Sequence, residues 1–112
     1  MLLPDAVSRV LARFQTGLQS RFGPRLLEFV LFGSYARGTA REDSDVDVLV
    51  VVAGLTETER VAVMDLAYDS DAAERESWVG LCPLVFSQAQ AAELRSRERL
   101  LFRDVDTEGI RL

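Results

Sequence analysis

The run Val46-Asp47-Val48-Leu49-Val50-Val51-Val52-Ala53 constrains the fold more than any other stretch of the chain. β-branched side chains at most of its positions favour an extended strand. Beyond Asp47 neither face of that strand is polar, so it has to run through the middle of a sheet covered on both sides. The run is far shorter than the roughly 20 apolar residues that span a bilayer. Its cover must come from helices elsewhere, which makes this α/β (α+β) material around one small sheet.

The flanking sequence supplies those helices. After Pro4-Asp5, the residues Val7, Val10, Leu11, Phe14 and Leu18 recur at helical spacing until Gly23-Pro24, predicting a helix over 5–21. Leu26 to Phe32 is a short apolar run with aromatics, a strand ended by Gly33-Ser34. Tyr35 to Ser44 is polar, a loop or short helical turn. After the central strand, Gly54-Leu55 turns the chain and Thr56 with Glu59 forms a capping box. The helix it opens carries Val61, Met64 and Tyr68 on its apolar face and reaches about Glu76. Trp78 to Phe86 is a third strand, at an edge or bulged because Pro83 has no N–H. Ser87 with Gln90 caps a further helix to about Phe102, with Ala91, Leu94 and Leu101 inward. Gly109 to Leu112 adds a short last strand. The order is α-β-β-α-β-α-(β), a small mixed central sheet flanked by helices. A length of 112 residues suits a single domain over 1–112.

Composition removes whole classes of chemistry. There is no His, so catalytic triads and His-ligated zinc are excluded. All 13 basic residues are Arg, which excludes a Schiff-base lysine and a complete P-loop. A single Cys, Cys82, allows neither an internal disulfide nor a cysteine-zinc cluster, and reads as a buried core residue. What remains is carboxylates, hydroxyls, Arg and backbone amides, a set suited to hard cations such as magnesium. The net charge of −5 argues against non-specific binding to nucleic acid. Met1 to Asp5 has neither a basic segment nor a long apolar one. The expectation is a cytoplasmic protein without signal peptide or membrane contact.

One constellation can carry chemistry. Asp45 and Asp47 are two apart at the mouth of the central strand, so they project from one face, about 6.6–6.8 Å apart at Cα. Two carboxylates so placed repel each other unless a cation lies between them. Gly33-Ser34 follows the first strand directly. Gly lets a backbone approach a ligand closely, and the amides and the Ser34 hydroxyl can hold phosphate oxygens. Taken singly, each feature has an ordinary reading: a turn, a solvated strand entry, and for Arg37 a surface ion pair. Other motifs fail on the letters. An EF-hand loop from Asp43 would need Gly where Val48 stands and Glu where Gly54 stands. Asp69 and Asp71 lie on a helix, where i and i+2 side chains do not face each other. Trp78, Tyr35 and Tyr68 read as packing residues, with Tyr35 close enough in sequence to line the site.

Gly33-Ser34-Tyr35-Ala36-Arg37-Gly38, followed by Ser44-Asp45-Val46-Asp47-Val48-Leu49-Val50, resembles the signature of the DNA polymerase beta-like nucleotidyltransferase superfamily. The chain is most similar to its small stand-alone members, the minimal nucleotidyltransferases, over essentially its whole length. The resemblance implies that Gly33 and Ser34 cradle the triphosphate, with Arg37 and Ser44 bracing that loop. It implies that Asp45 and Asp47 are catalytic and bind two magnesium ions. The superfamily usually carries a third carboxylate on the next core strand, but Trp78 to Phe86 contains no Asp or Glu. Glu76, just before it, is a weak substitute.

The resemblance further implies a transferase that moves a nucleoside monophosphate, AMP from ATP, to a hydroxyl and releases pyrophosphate. A chain this small has little room for an acceptor domain. The acceptor would come with a partner protein or a homo-oligomer. Relatives of this size are paired with a helical HEPN-type ribonuclease toxin, for which the transferase is the antitoxin. The missing carboxylate supports an alternative, a catalytically impaired module that binds nucleotide and neutralises its partner by complex formation. Template-directed polymerisation and aminoglycoside modification rank lower for want of space.

Overall fold

The computed structural model describes residues 3–41, 43–74, 78–97 and 99–112. The first helix, α1 (Asp5–Phe22), buries the expected stripe and adds Phe22 to it. Gly23, at φ +55°, and Pro24 turn the chain through a short 3-10 segment (Gly23–Arg25) into β1 (Leu26–Phe32). A one-turn helix, α2 (Ser34–Arg37), follows, and then β2 (Val46–Val52). The Thr56–Glu59 capping box is formed reciprocally and opens α3 (Glu57–Ala72). After β3 (Leu81–Ser87) come α4 (Gln88–Arg97), α5 (Arg99–Glu108) and β4 (Ile110–Arg111). Among the described residues no helix is long and apolar enough to cross a membrane.

The sheet order is β3-β2-β1-β4. β2 lies antiparallel to β1 and parallel to β3, and β4 closes antiparallel on β1, so the sheet is mixed. Pro83 sits on the edge strand β3, where its missing N–H is tolerated. β2 is central, and its two faces serve two cores. Val46, Val48, Val50 and Val52 pack with α1 and with Val63 and Ala67 of α3. Leu49 and Val51 pack with Val30, Ala91, Phe102 and Val105 beneath α4 and α5. By strand alternation Asp47 shares the second face, just past the end of its apolar cover.

Three expectations need correction. Val61, Met64 and Tyr68 are exposed, and α3 buries Val63, Ala67, Ser70 and Asp71 instead. The less apolar side wins because its polar groups are satisfied. Ser70 Oγ donates to the Leu66 carbonyl, and the Asp71 carboxylate accepts from the amides of Val79, Gly80 and Leu81 at 2.9–3.1 Å. Those bonds also explain the second difference. They commit the amides at 79–81 to α3, so the strand begins at Leu81 rather than Trp78. Third, the stretch expected as one helix to about Phe102 is described as α4, ending at Arg97, and α5, which starts at Arg99 and continues past Phe102 to Glu108. Arg95 of α4 reaches Glu28 on β1 and Asp106 on α5, holding the pair folded against each other. Position 98, the Leu101 side chain and Glu76 lie outside the described residues.

Candidate active site

The motif residues converge because of strand register. β1 and β2 run antiparallel with Phe32 opposite Asp47, so the end of one strand meets the start of the other. The next residue, Gly33, has φ +75° and ψ −154°, a conformation that L side chains rarely adopt. A Cβ at Gly33 would fall 2.3 Å from Asp47 Oδ2. The backbone of the glycine-serine turn therefore lies directly against the second acid. α2 starts at Ser34 and ends at Gly38 in the left-handed region, and its first amides have no acceptor within the helix.

Asp45 is fixed from the other side. The amide of Val46 donates to the Gly80 carbonyl at 2.9 Å, and a Cβ at Gly80 would come 3.0 Å from Asp45 Oδ1. Burial pushes the Asp47 carboxyl above the ordinary aspartate range, and the charge of Asp45 adds to the push. The Arg37 guanidinium acts in the opposite direction. Arg37 also approaches Glu108 of α5 at 3.7 Å. Ser44 accepts from the Arg41 amide at 2.8 Å, while its own amide donates to the Arg41 carbonyl, so it ties the loop to itself. All five candidate residues, Gly33, Ser34, Arg37, Asp45 and Asp47, thus gather at one end of the sheet.

Cys82 was expected in the core and is instead exposed. It pairs in register with Asp47 across the β2–β3 ladder, on the strand where the resemblance implies a third carboxylate. Burial, then Asp47 and then Asp45, push its thiol upward, so it keeps its proton at neutral pH and brings no charge. The sequence signal for this neighbour was its place on the strand after the Asp-x-Asp, which hydrophobicity alone concealed. The Asp69/Asp71 pair takes no part in the site, since Asp71 is spent on backbone amides. Tyr35 packs toward the α1–α3 core and lines a cavity of about 350 Å³ with Trp78 and Arg41.

Among the described residues no three His, Cys, Asp or Glu side chains gather as a metal cage. The donor set still fits magnesium, which typically takes one or two carboxylates and completes its shell with water and substrate phosphate. Asp45 and Asp47 would be those ligands, and their mutual repulsion is the local demand for a cation.

The model of the nucleotidyltransferase domain matches residues 11–102, most of the chain and both halves of this site. The chain belongs to the nucleotidyltransferase domain family. Among curated relatives, protein adenylyltransferase MntA of Thermococcus cleftensis is 48% identical over 50 residues, 45% of this chain and 48% of that protein. A candidate protein adenylyltransferase of Methanocaldococcus jannaschii, MJ1305, is 47% identical over 49 residues, 44% of this chain and 33% of the relative. The chain spans between a third and a half of the length of these two curated relatives. Among solved structures, a toxin–antitoxin complex with AMP-PNP matches 88% of this chain and 68% of the other at 28% identity and a TM-score of 0.54. A candidate nucleotidyltransferase from Sulfolobus solfataricus matches 95% of this chain and 80% of the other at 21% identity and the same TM-score, which shows the fold alone. The mixed four-stranded sheet flanked by helices agrees with the nucleotidyltransferase fold of these neighbours.

Proposed function

We propose that this chain is a single nucleotidyltransferase domain that moves AMP from ATP to a hydroxyl of a partner protein and releases pyrophosphate. The observation that carries the reading is the contact of Gly33 with the Asp47 carboxylate. It sets the first amides of α2, from Ser34 to Ala36, beside the acids, so that a triphosphate can lie between them, while the Arg37 amide is held by the Gly33 carbonyl at 3.1 Å. In this reading Gly33 and Ser34 hold phosphate oxygens, and Arg37, between Asp47 and Glu108, braces that loop and contributes positive charge. Asp45 and Asp47 hold magnesium, which when bound neutralises the triphosphate and acidifies the acceptor hydroxyl. The two acids also orient the acceptor for in-line attack on the α-phosphorus, so most of the catalysis is positioning and electrostatics.

The protein adenylyltransferase relatives support AMP as the group transferred. The toxin–antitoxin complexes among the structural neighbours support a protein acceptor. The partner class we propose is a helical HEPN-type toxin, with this chain as its antitoxin in the cytoplasm.

The test is incubation with α-labelled ATP, magnesium and the co-expressed partner. Label on the partner that disappears with Asp45→Ala/Asp47→Ala is the expected result. Undiminished labelling with that double variant would overturn the assignment of the site. The protonated Cys82 beside Asp47 favours a second reading, a binding module with little transfer activity. It predicts no label on the partner and unchanged complex formation by the double variant.

A further inference from the structure

The outer side of α3 carries an apolar stripe that the fold leaves in water. Val61, Met64 and Tyr68 recur at i, i+3 and i+7 and are 55%, 45% and 64% exposed. Trp78, 58% exposed, extends the stripe by packing edge-on against Tyr68 with ring centroids 5.4 Å apart. Scattered exposed apolar residues need no explanation, but a contiguous stripe ending in Tyr and Trp has the composition of an interface centre.

Among the described residues, the rim of the stripe along α3 is acidic. Glu57, Asp65 and Asp69 are exposed on the same helix, and among the described residues only Glu57 has an ion-pair partner, Arg60 at 3.4 Å. Arg9 and Arg13, on the neighbouring α1, are both bound to Glu74. A two-fold contact between copies of this chain would set these carboxylates against each other on a molecule already carrying −5. A partner with a basic rim gains where a second copy loses.

We propose that Val61, Met64, Tyr68 and Trp78 form the docking face for a protein partner that offers a complementary apolar groove edged by Arg or Lys. This rests on the reading that the chain acts on a protein, and adds where that protein is held. α3 covers the sheet face opposite the one that Asp47 shares, so the acids and the glycine-serine turn stay open to nucleotide while the partner is bound. The stripe nevertheless reaches the active end. Trp78 lies two residues before Gly80, the backbone neighbour of Asp45. A partner seated there has only the sheet edge to pass to present a hydroxyl.

The test uses the full chain and the protein encoded by the adjacent reading frame, with affinity measured at several salt concentrations. Tyr68→Ala and Trp78→Ala are each expected to weaken binding about 30-fold, the size of an interface hot spot. Leu100→Ala, an exposed apolar control on another helix, should leave it unchanged. Asp65→Asn/Asp69→Asn should weaken it and flatten its salt dependence. Trp78 is the single Trp, so 5-fluorotryptophan gives one 19F line that should shift on mixing. Absence of a complex, binding indifferent to Tyr68 and Trp78, or a homodimer that Met64→Arg dissociates would overturn the proposal. The outcomes separate from those of the transfer assay. Stripe-dependent binding without label transfer would sink the enzyme reading and leave the docking face standing. Label transfer indifferent to the stripe would do the reverse.

Discussion

The Gly33 backbone touches the Asp47 carboxylate so closely that a single methyl group at Gly33 would fall 2.3 Å from Oδ2. Gly33→Ala meets two penalties. The residue is at φ +75°, which costs a non-glycine residue about 1–3 kcal/mol. Asp47 must also swing away, because its carboxylate is the movable end of the contact. The expected result is a lowered Tm together with loss of ATP-dependent thermal stabilisation and of label transfer. Retained nucleotide binding in a stable Gly33→Ala protein would mean that the turn does not hold phosphate.

Asp47 should make the protein less stable as pH rises. Its carboxyl is raised in the folded state, so between the ordinary value of 3.8 and the folded value the native form binds more protons than the unfolded one. Stability is therefore lost as pH climbs through that window, and the penalty persists at neutral pH. Without divalent ions, Asp47→Asn should melt higher than the natural chain at pH 7, with the difference vanishing near pH 3. Magnesium should raise the Tm of the natural chain and leave the variant nearly unaffected. A variant that melts lower at pH 7 in chelator would contradict this.

Cys82 marks where activity can be added. Its thiol stays protonated beside Asp47, at the register position from which a third acid would reach the site. Cys82→Asp is expected to lower the Tm in chelator, through a third like charge, and to enlarge the stabilisation by magnesium. A restored general base is worth on the order of 10²–10⁴ in rate, so label transfer should rise by at least 10²-fold. An unchanged rate with an intact fold would show that deprotonation does not limit the reaction.

Asp71 supports the site from behind. Its buried carboxylate accepts three amides, and one of them belongs to Gly80, the neighbour of Asp45. Asp71→Ala orphans three donors, each typically worth 1–3 kcal/mol when buried, so a loss of about 3 kcal/mol or more is expected. Hydrogen exchange at 79–81 should accelerate, and transfer should fall even where the protein remains folded. Slow exchange there in the variant would show that the segment is held by something else.

Much of this molecule was legible in its letters. Leu26–Phe32 and the central strand from Val46 read directly because each is a short, mostly apolar run broken by a single acid, Glu28 or Asp47, and α1 because one stripe was far more apolar than any other. Both halves of the motif were visible as well, but of its two acids only Asp47 lies on the strand, since β2 begins at Val46 and Asp45 stands just before it. α3 is not legible in the same way because a helix offers several stripes. The more apolar one, Val61–Met64–Tyr68, was left to the solvent, while Ser70 and Asp71 went inside. No periodicity could weigh three backbone amides arriving from residues 79–81, which exist as partners only once the crossover has closed. The position of Cys82 was hidden for the same reason. The sequence determined which strands would form and which residues could do chemistry. Tertiary structure alone decided which helix face is buried, that Gly33 rests on Asp47, and that a neutral thiol stands beside the acids, because each depends on register between segments distant along the chain.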